Sequence, residues 1–137
     1  REICRLTGAT VLLKGATTLI AAPQRPLVSV DGGPGWMATA GSGDVLAGVL
    51  GAVLAGAAAR WEQGTASAAS GPVLDALVES VAAGVRLHVL AGAYAAAIPQ
   101  GAGGMRAGGH PVAALDIAAA LGPARLELNW FQAVPHP

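Results

Sequence analysis

Eight residues, Met37-Ala38-Thr39-Ala40-Gly41-Ser42-Gly43-Asp44, run straight into an apolar stretch over 45–59, and that junction restricts the fold more than anything else in the chain. The small residues favour a tight turn and the apolar stretch favours a helix, so one carboxylate comes to stand at a helix start. The first N–H groups of a helix lack internal partners and carry the positive end of its dipole, which makes such a turn a ready anion site. Gly41 and Gly43 remove side chains that would keep a phosphate from those N–H groups. Asp44 then has two readings. Either it caps the helix after an ordinary Gly-Ser-Gly turn, or it accepts a proton from a substrate hydroxyl while the amides hold developing phosphoryl charge.

At 137 residues the chain is long enough for one domain with a real core, and a single folding unit or part of one is expected. A formal net charge of +0, with 12% charged residues, leaves no basic stripe of the kind that holds a nucleic acid backbone. Cys4 has no second thiol to pair with and no metal-ligand spacing beside it, which fits a reducing, cytoplasmic setting. No signal-peptide pattern opens the sequence. The 45–59 stretch, at about 15 residues, falls short of the roughly 20 that cross a bilayer, and is expected to be a buried helix rather than a membrane span.

Along the chain, 2–6 reads as the end of a helix stopped by Thr7-Gly8, and the apolar run 9–13 as a strand buried on both faces. Short strands are expected over 18–22 and 27–30, joined by Pro23-Gln24-Arg25 as an antiparallel hairpin. The glycine- and proline-rich 31–35 is a loop delivering the chain to Met37. After the 45–59 helix, 62–72 reads as a surface connection without functional residues. Helical spacing over 73–97 predicts one long helix or two in sequence, with Gly84 and Gly92 marking close packing. A glycine loop over 101–109 follows, then a last short helix over 112–121 broken by Gly122-Pro123, and an irregular tail over 125–137. Strand, hairpin, glycine turn and apolar helices together describe an α/β layer structure, where ligands sit where strand ends meet helix N-termini.

A second loop stands at such a place. Lys14, the single lysine, is followed by Gly15, Ala16, Thr17 and Thr18 at the end of the first strand. This is either a surface lysine beside a hairpin or a cation with two hydroxyls that holds phosphate or ribose oxygens. Among other residues, His88 lies on an apolar helix and reads as a packed or capped core histidine, while His110 and His136 fall in loop and tail. No nucleophile elbow or triad forms around Ser42. Trp36 either stacks on a base or plugs the loop against the core.

With both loops in view, the sequence resembles the ADP- or ATP-dependent NAD(P)H-hydrate dehydratases, a branch of the ribokinase-like superfamily. The resemblance lies in 8–18, from Gly8-Ala9-Thr10 to Lys14-Gly15-Ala16-Thr17-Thr18, and in 35–48, from Gly35-Trp36-Met37 through Gly41-Ser42-Gly43-Asp44 to Gly48. It continues in 82–92 around His88 and in Ala114-Leu115-Asp116-Ile117. It implies a ribokinase-like three-layer α/β fold, of which 1–124 would be the C-terminal portion, the N-terminal half supplying further strands and pocket wall. It implies nucleotide-dependent dehydration of the S form of hydrated NADH or NADPH, a metabolite-repair reaction. Lys14, Gly15, Ala16, Thr17 and Thr18, with Gly41, Ser42 and Gly43, would contact ADP or ATP, and Asp44 would be catalytic and meet the hydrated nicotinamide. Magnesium is expected with the nucleotide. The loop ahead of the motif departs from the family, which carries asparagine or threonine before its proline where Gly33 stands here.

Two alternatives belong to other classes: a ribokinase-like small-molecule kinase, and a non-catalytic nucleotide-binding remnant. An open sheet edge and alanine-rich helices also lead us to expect self-association, or a missing half as partner.

Overall fold

The computed structural model describes residues 1–63, 70–97 and 109–133. A helix α1 (Glu2–Thr7) leads into three strands, β1 (Val11–Leu13), β2 (Thr17–Ala21) and β3 (Val28–Asp31). A 3-10 turn at Gly35–Met37 precedes the helices α2 (Ser42–Glu62), α3 (Ser70–Ala95), α4 (Ala114–Ala119) and α5 (Leu121–Ala133). The chain divides into two compact units. Arg1–Gly32 and Gly48–Val85 make the first, Gly33–Ala47 and Arg86–Pro137 the second.

In the first unit α1 ends as its sequence demands. Gly8 takes a left-handed φ of 69° and its N–H closes on the Cys4 carbonyl at 2.9 Å, a conformation that a side chain would strain. The expected hairpin is present: β2 and β3 are antiparallel, pairing Thr17 with Asp31 and Ile20 with Val28. Its turn places Pro23 where φ is preset and Gln24 at φ 56°, with the Arg25 N–H donating to the Ala22 carbonyl at 3.3 Å. β1 also runs antiparallel to β2, in the order β1-β2-β3, so the sheet is a meander. β1 is not buried on both faces as its apolar run suggested, because Leu13 is exposed. β1 is an outer strand with one partner among the described residues, so one of its edges is unpaired there. Ile20 is fully buried at the sheet centre, and Val78, Val81 and Val85 turn inward from α3 at helical spacing. Gly84 lets the two helices approach, since a Cβ there would stand 3.0 Å from Leu50 Cδ2 on α2.

The second unit is built on Leu90, Ala91, Ala96, Val112, Ile117 and Ala124, with Met37, Val45 and Leu87 packed against them. Gly92 gives Met37 its place, because any Cβ at 92 would overlap the Met37 side chain. The Asp116 carboxylate accepts from the Ala113 N–H at 2.8 Å and so starts α4, while the Tyr94 hydroxyl on α3 donates to Glu127 on α5 at 2.6 Å. That bond to a carboxylate raises the Tyr94 pKa, since it favours the protonated phenol.

Four further expectations change. Gly122-Pro123 does not break the last helix but opens α5, because a proline in a first turn gives up an N–H that has no partner there anyway. Residues 125–133, expected to be irregular, therefore continue that helix, while 134–137 lie outside the described residues. The 62–72 connection is shortened by α3 starting at Ser70, with 64–69 outside the described residues, as is most of the 101–109 loop. Finally, α2 is a 21-residue helix and largely exposed, not a buried one over 45–59; it takes in Ser42, Gly43 and Asp44 at one end and 60–62 at the other. By length and composition α2 and Leu74–Ala95 could each cross a bilayer; half of the latter is buried in the protein, as in a core helix.

Candidate functional site

The 41–44 turn belongs to the second unit. Gly41 adopts φ 85°, which strains any side chain, and a Cβ on it would stand 3.0 Å from the Ala114 methyl group, a tight contact that adds to the preference for glycine. This conformation aims the Gly41 carbonyl along α2, where it accepts the N–H groups of Asp44 at 3.0 Å and Val45 at 3.1 Å. The Ser42 N–H donates backward to the Thr39 carbonyl at 3.3 Å. Of the motif amides, those of Gly41 and Gly43 have no backbone acceptor among the described residues. Two N–H groups thus stand open at the positive end of a long helix, and Asp44 is exposed in the same turn. An exposed carboxylate and two amides without backbone acceptors share one turn.

Ser42 is placed differently from its neighbours. It is buried, and its carbonyl oxygen lies 2.9 Å from Nε2 of His88, itself buried on α3. A carbonyl only accepts, so Nε2 carries the proton. The core role expected of His88 is present, but with a polar contact to the motif that its apolar helix did not reveal. The signal available was a lone polar residue in the otherwise apolar 87–93 run.

The 14–18 loop belongs to the first unit. Lys14, Gly15, Ala16 and Thr17 are exposed between β1 and β2, whereas Thr18 turns inward at 5% exposure. Of the two hydroxyls expected to face a ligand, only that of Thr17 is open to one. Gly32 was read only as loop, yet it packs directly on the Ala16 carbonyl, and a Cβ there would overlap the peptide. One glycine therefore pins an otherwise open loop. Gly41, Ser42, Gly43 and Asp44 form one assembly with His88, while the 14–18 residues form another within the first unit. Among the described residues no group of three or more His, Cys, Asp or Glu side chains gathers to hold a metal ion. Trp36 is 42% exposed, which leaves part of its ring open to a ligand.

The family model described as NAD(P)H-hydrate dehydratase matches residues 1–107. An ADP-dependent (S)-NAD(P)H-hydrate dehydratase of Neisseria meningitidis serogroup B is 42% identical over 98 residues, 71% of this chain and 32% of that protein. A bifunctional NAD(P)H-hydrate repair enzyme of Mycobacterium tuberculosis is 54% identical over 55 residues, 40% of this chain and 12% of its own length. Its counterpart in Thermofilum pendens is 44% identical over 96 residues, 69% of this chain and 15% of its own length. The chain thus spans a third or less of these relatives. No solved structure matches it.

Proposed function

Since the chain belongs to the NAD(P)H-hydrate dehydratase family, we propose that it supplies the catalytic turn of a protein that dehydrates the S form of hydrated NADH or NADPH at the expense of ADP or ATP. The observation that carries the proposal is the 41–44 turn, in which a left-handed glycine sets an exposed carboxylate beside two amides without backbone acceptors. Water leaves a ring carbon poorly. The nucleotide supplies the phosphoryl group that converts the hydroxyl into a good leaving group. Asp44 accepts the hydroxyl proton, and the amides of Gly41 and Gly43 face the phosphoryl oxygens as charge builds on them. Loss of inorganic phosphate and of a proton from the neighbouring carbon then restores the ring double bond.

Lys14 and Thr17, with the open backbone at Gly15 and Ala16, would contact the nucleotide as a cation, a hydroxyl and small turn residues. Ser42 contributes through its backbone. Magnesium would arrive on the nucleotide phosphates, since that ion keeps most of its waters and needs only one or two carboxylates. The three-layer ribokinase-like arrangement, of which this chain would be the C-terminal portion, is completed by the remaining length that relatives possess, or by a second copy. The setting we propose is cytoplasmic, in keeping with the lone free Cys4.

The test follows absorbance at 340 nm together with inorganic phosphate, from hydrated NADH with ADP or ATP and magnesium. One phosphate released per reduced dinucleotide regenerated supports dehydration. A stable phosphoester without absorbance recovery identifies a small-molecule kinase instead, and nucleotide binding without either product identifies a non-catalytic module.

A further inference from the structure

We propose that His88 is a positioning residue for the 41–44 turn, acting through its hydrogen bond to the Ser42 carbonyl. The bond joins the C-terminal half of α3 to the first residue of α2, across 2.9 Å, with both residues buried. A histidine in such surroundings is expensive unless its nitrogens are bonded, so the contact fixes where the ring and its acceptor must stand. Ser42 also lies between the two glycines whose amides are open, and one residue before the peptide that carries Gly43 to Asp44. A rotation of the Ser42 carbonyl turns the Gly43 N–H with it, because the two belong to one rigid peptide plane. His88 thereby sets the direction of that amide, while Ala114 limits the turn at Gly41 and Val45 anchors it to the core. The first turn of a helix otherwise frays readily, and an open amide cradle is useful only if held in one orientation.

The link to catalysis rests on the function proposed above; the link to geometry does not. The experiment compares the full chain with His88→Leu, which removes the donor, and His88→Gln, whose terminal amide nitrogen can replace Nε2. Should the apolar side chain unfold the protein, His88→Asn takes its place, because its shorter amide stops short of the Ser42 carbonyl. Amide hydrogen exchange is read for 43–46 and, as an internal control, for β2 and β3. His88→Leu is expected to speed exchange over 43–46 by about tenfold with the hairpin unchanged, and His88→Gln to stay within about threefold of the parent. In the dehydration assay, kcat falls by about tenfold in His88→Leu with KM little changed, and returns in His88→Gln. Unchanged exchange over 43–46, an equal rise in the hairpin, or an equal loss of kcat in both variants overturns the proposal. A parent chain without turnover, also when extended upstream to the length of its relatives, overturns the proposed function, and the exchange comparison then decides the role of His88 by itself.

Discussion

The 41–44 turn and the 14–18 loop carry the two halves of one proposed chemistry, yet they are built in opposite ways. The first is packed: Gly41 is locked by φ 85° and by Ala114, Ser42 is buried under His88, and only Asp44 and two amides face outward. The second is open. Lys14, Gly15, Ala16 and Thr17 are exposed, held by Gly32 against the Ala16 carbonyl and by the pairing of Thr17 with Asp31. The difference is what the proposed roles would call for. A group that must meet charge developing in a transition state needs a fixed direction, whereas a cation that attracts a nucleotide can act from a mobile side chain.

The contrast breaks most severely at Gly41. Gly41→Ala forces a side chain into the left-handed region and against the Ala114 methyl, and should lower turnover by about 100-fold, as losing an oriented donor does. A steady-state comparison checks this, and a loss under threefold would mean that the turn is not held as described. Gly32→Ala should instead act on stability, lowering the unfolding free energy by about 2 kcal/mol because its Cβ must displace backbone. Thermal or denaturant unfolding followed by circular dichroism reads that change.

Lys14→Ala sharpens the other side. It is expected to raise the apparent KM for nucleotide by about tenfold with kcat and unfolding midpoint nearly unchanged, since an exposed charge-assisted contact is removed and nothing packs on it. An equal fall in kcat would show that the open loop also acts in the transition state. The smallest effect belongs to Asp75→Asn, which weakens the partly exposed ion pair with Arg25 in the first unit. Less than about 1 kcal/mol of stability and no change in either kinetic constant are expected.

Much of this was legible in the residues. Gly8 announced the end of α1, Pro23-Gln24-Arg25 the hairpin, and Gly84 and Gly92 the close packing of α3, because each depends on local conformation or on a missing side chain. The motif turn was legible for the same reason. What escaped depends on neighbours distant in sequence. The exposure of Leu13 and of α2 follows from what covers them, not from their own apolar character. Gly122-Pro123 has one composition and two meanings, stop or start, and the helix on its far side decides between them. His88 and Gly32 acquire their importance from partners 46 and about 16 residues away, separations at which no local pattern speaks.

The most direct measurement is the recovery of absorbance at 340 nm from hydrated NADH, with ADP or ATP and magnesium, for the parent chain and for Asp44→Asn. The account requires recovery in the parent and a fall of at least about 100-fold in the variant, with nucleotide affinity kept, since a proton acceptor is lost while the amides and Lys14 remain. Recovery that survives the substitution, or none in the parent with either nucleotide even when the chain is extended upstream to the length of its relatives, would contradict the assignment of dehydration to the 41–44 turn.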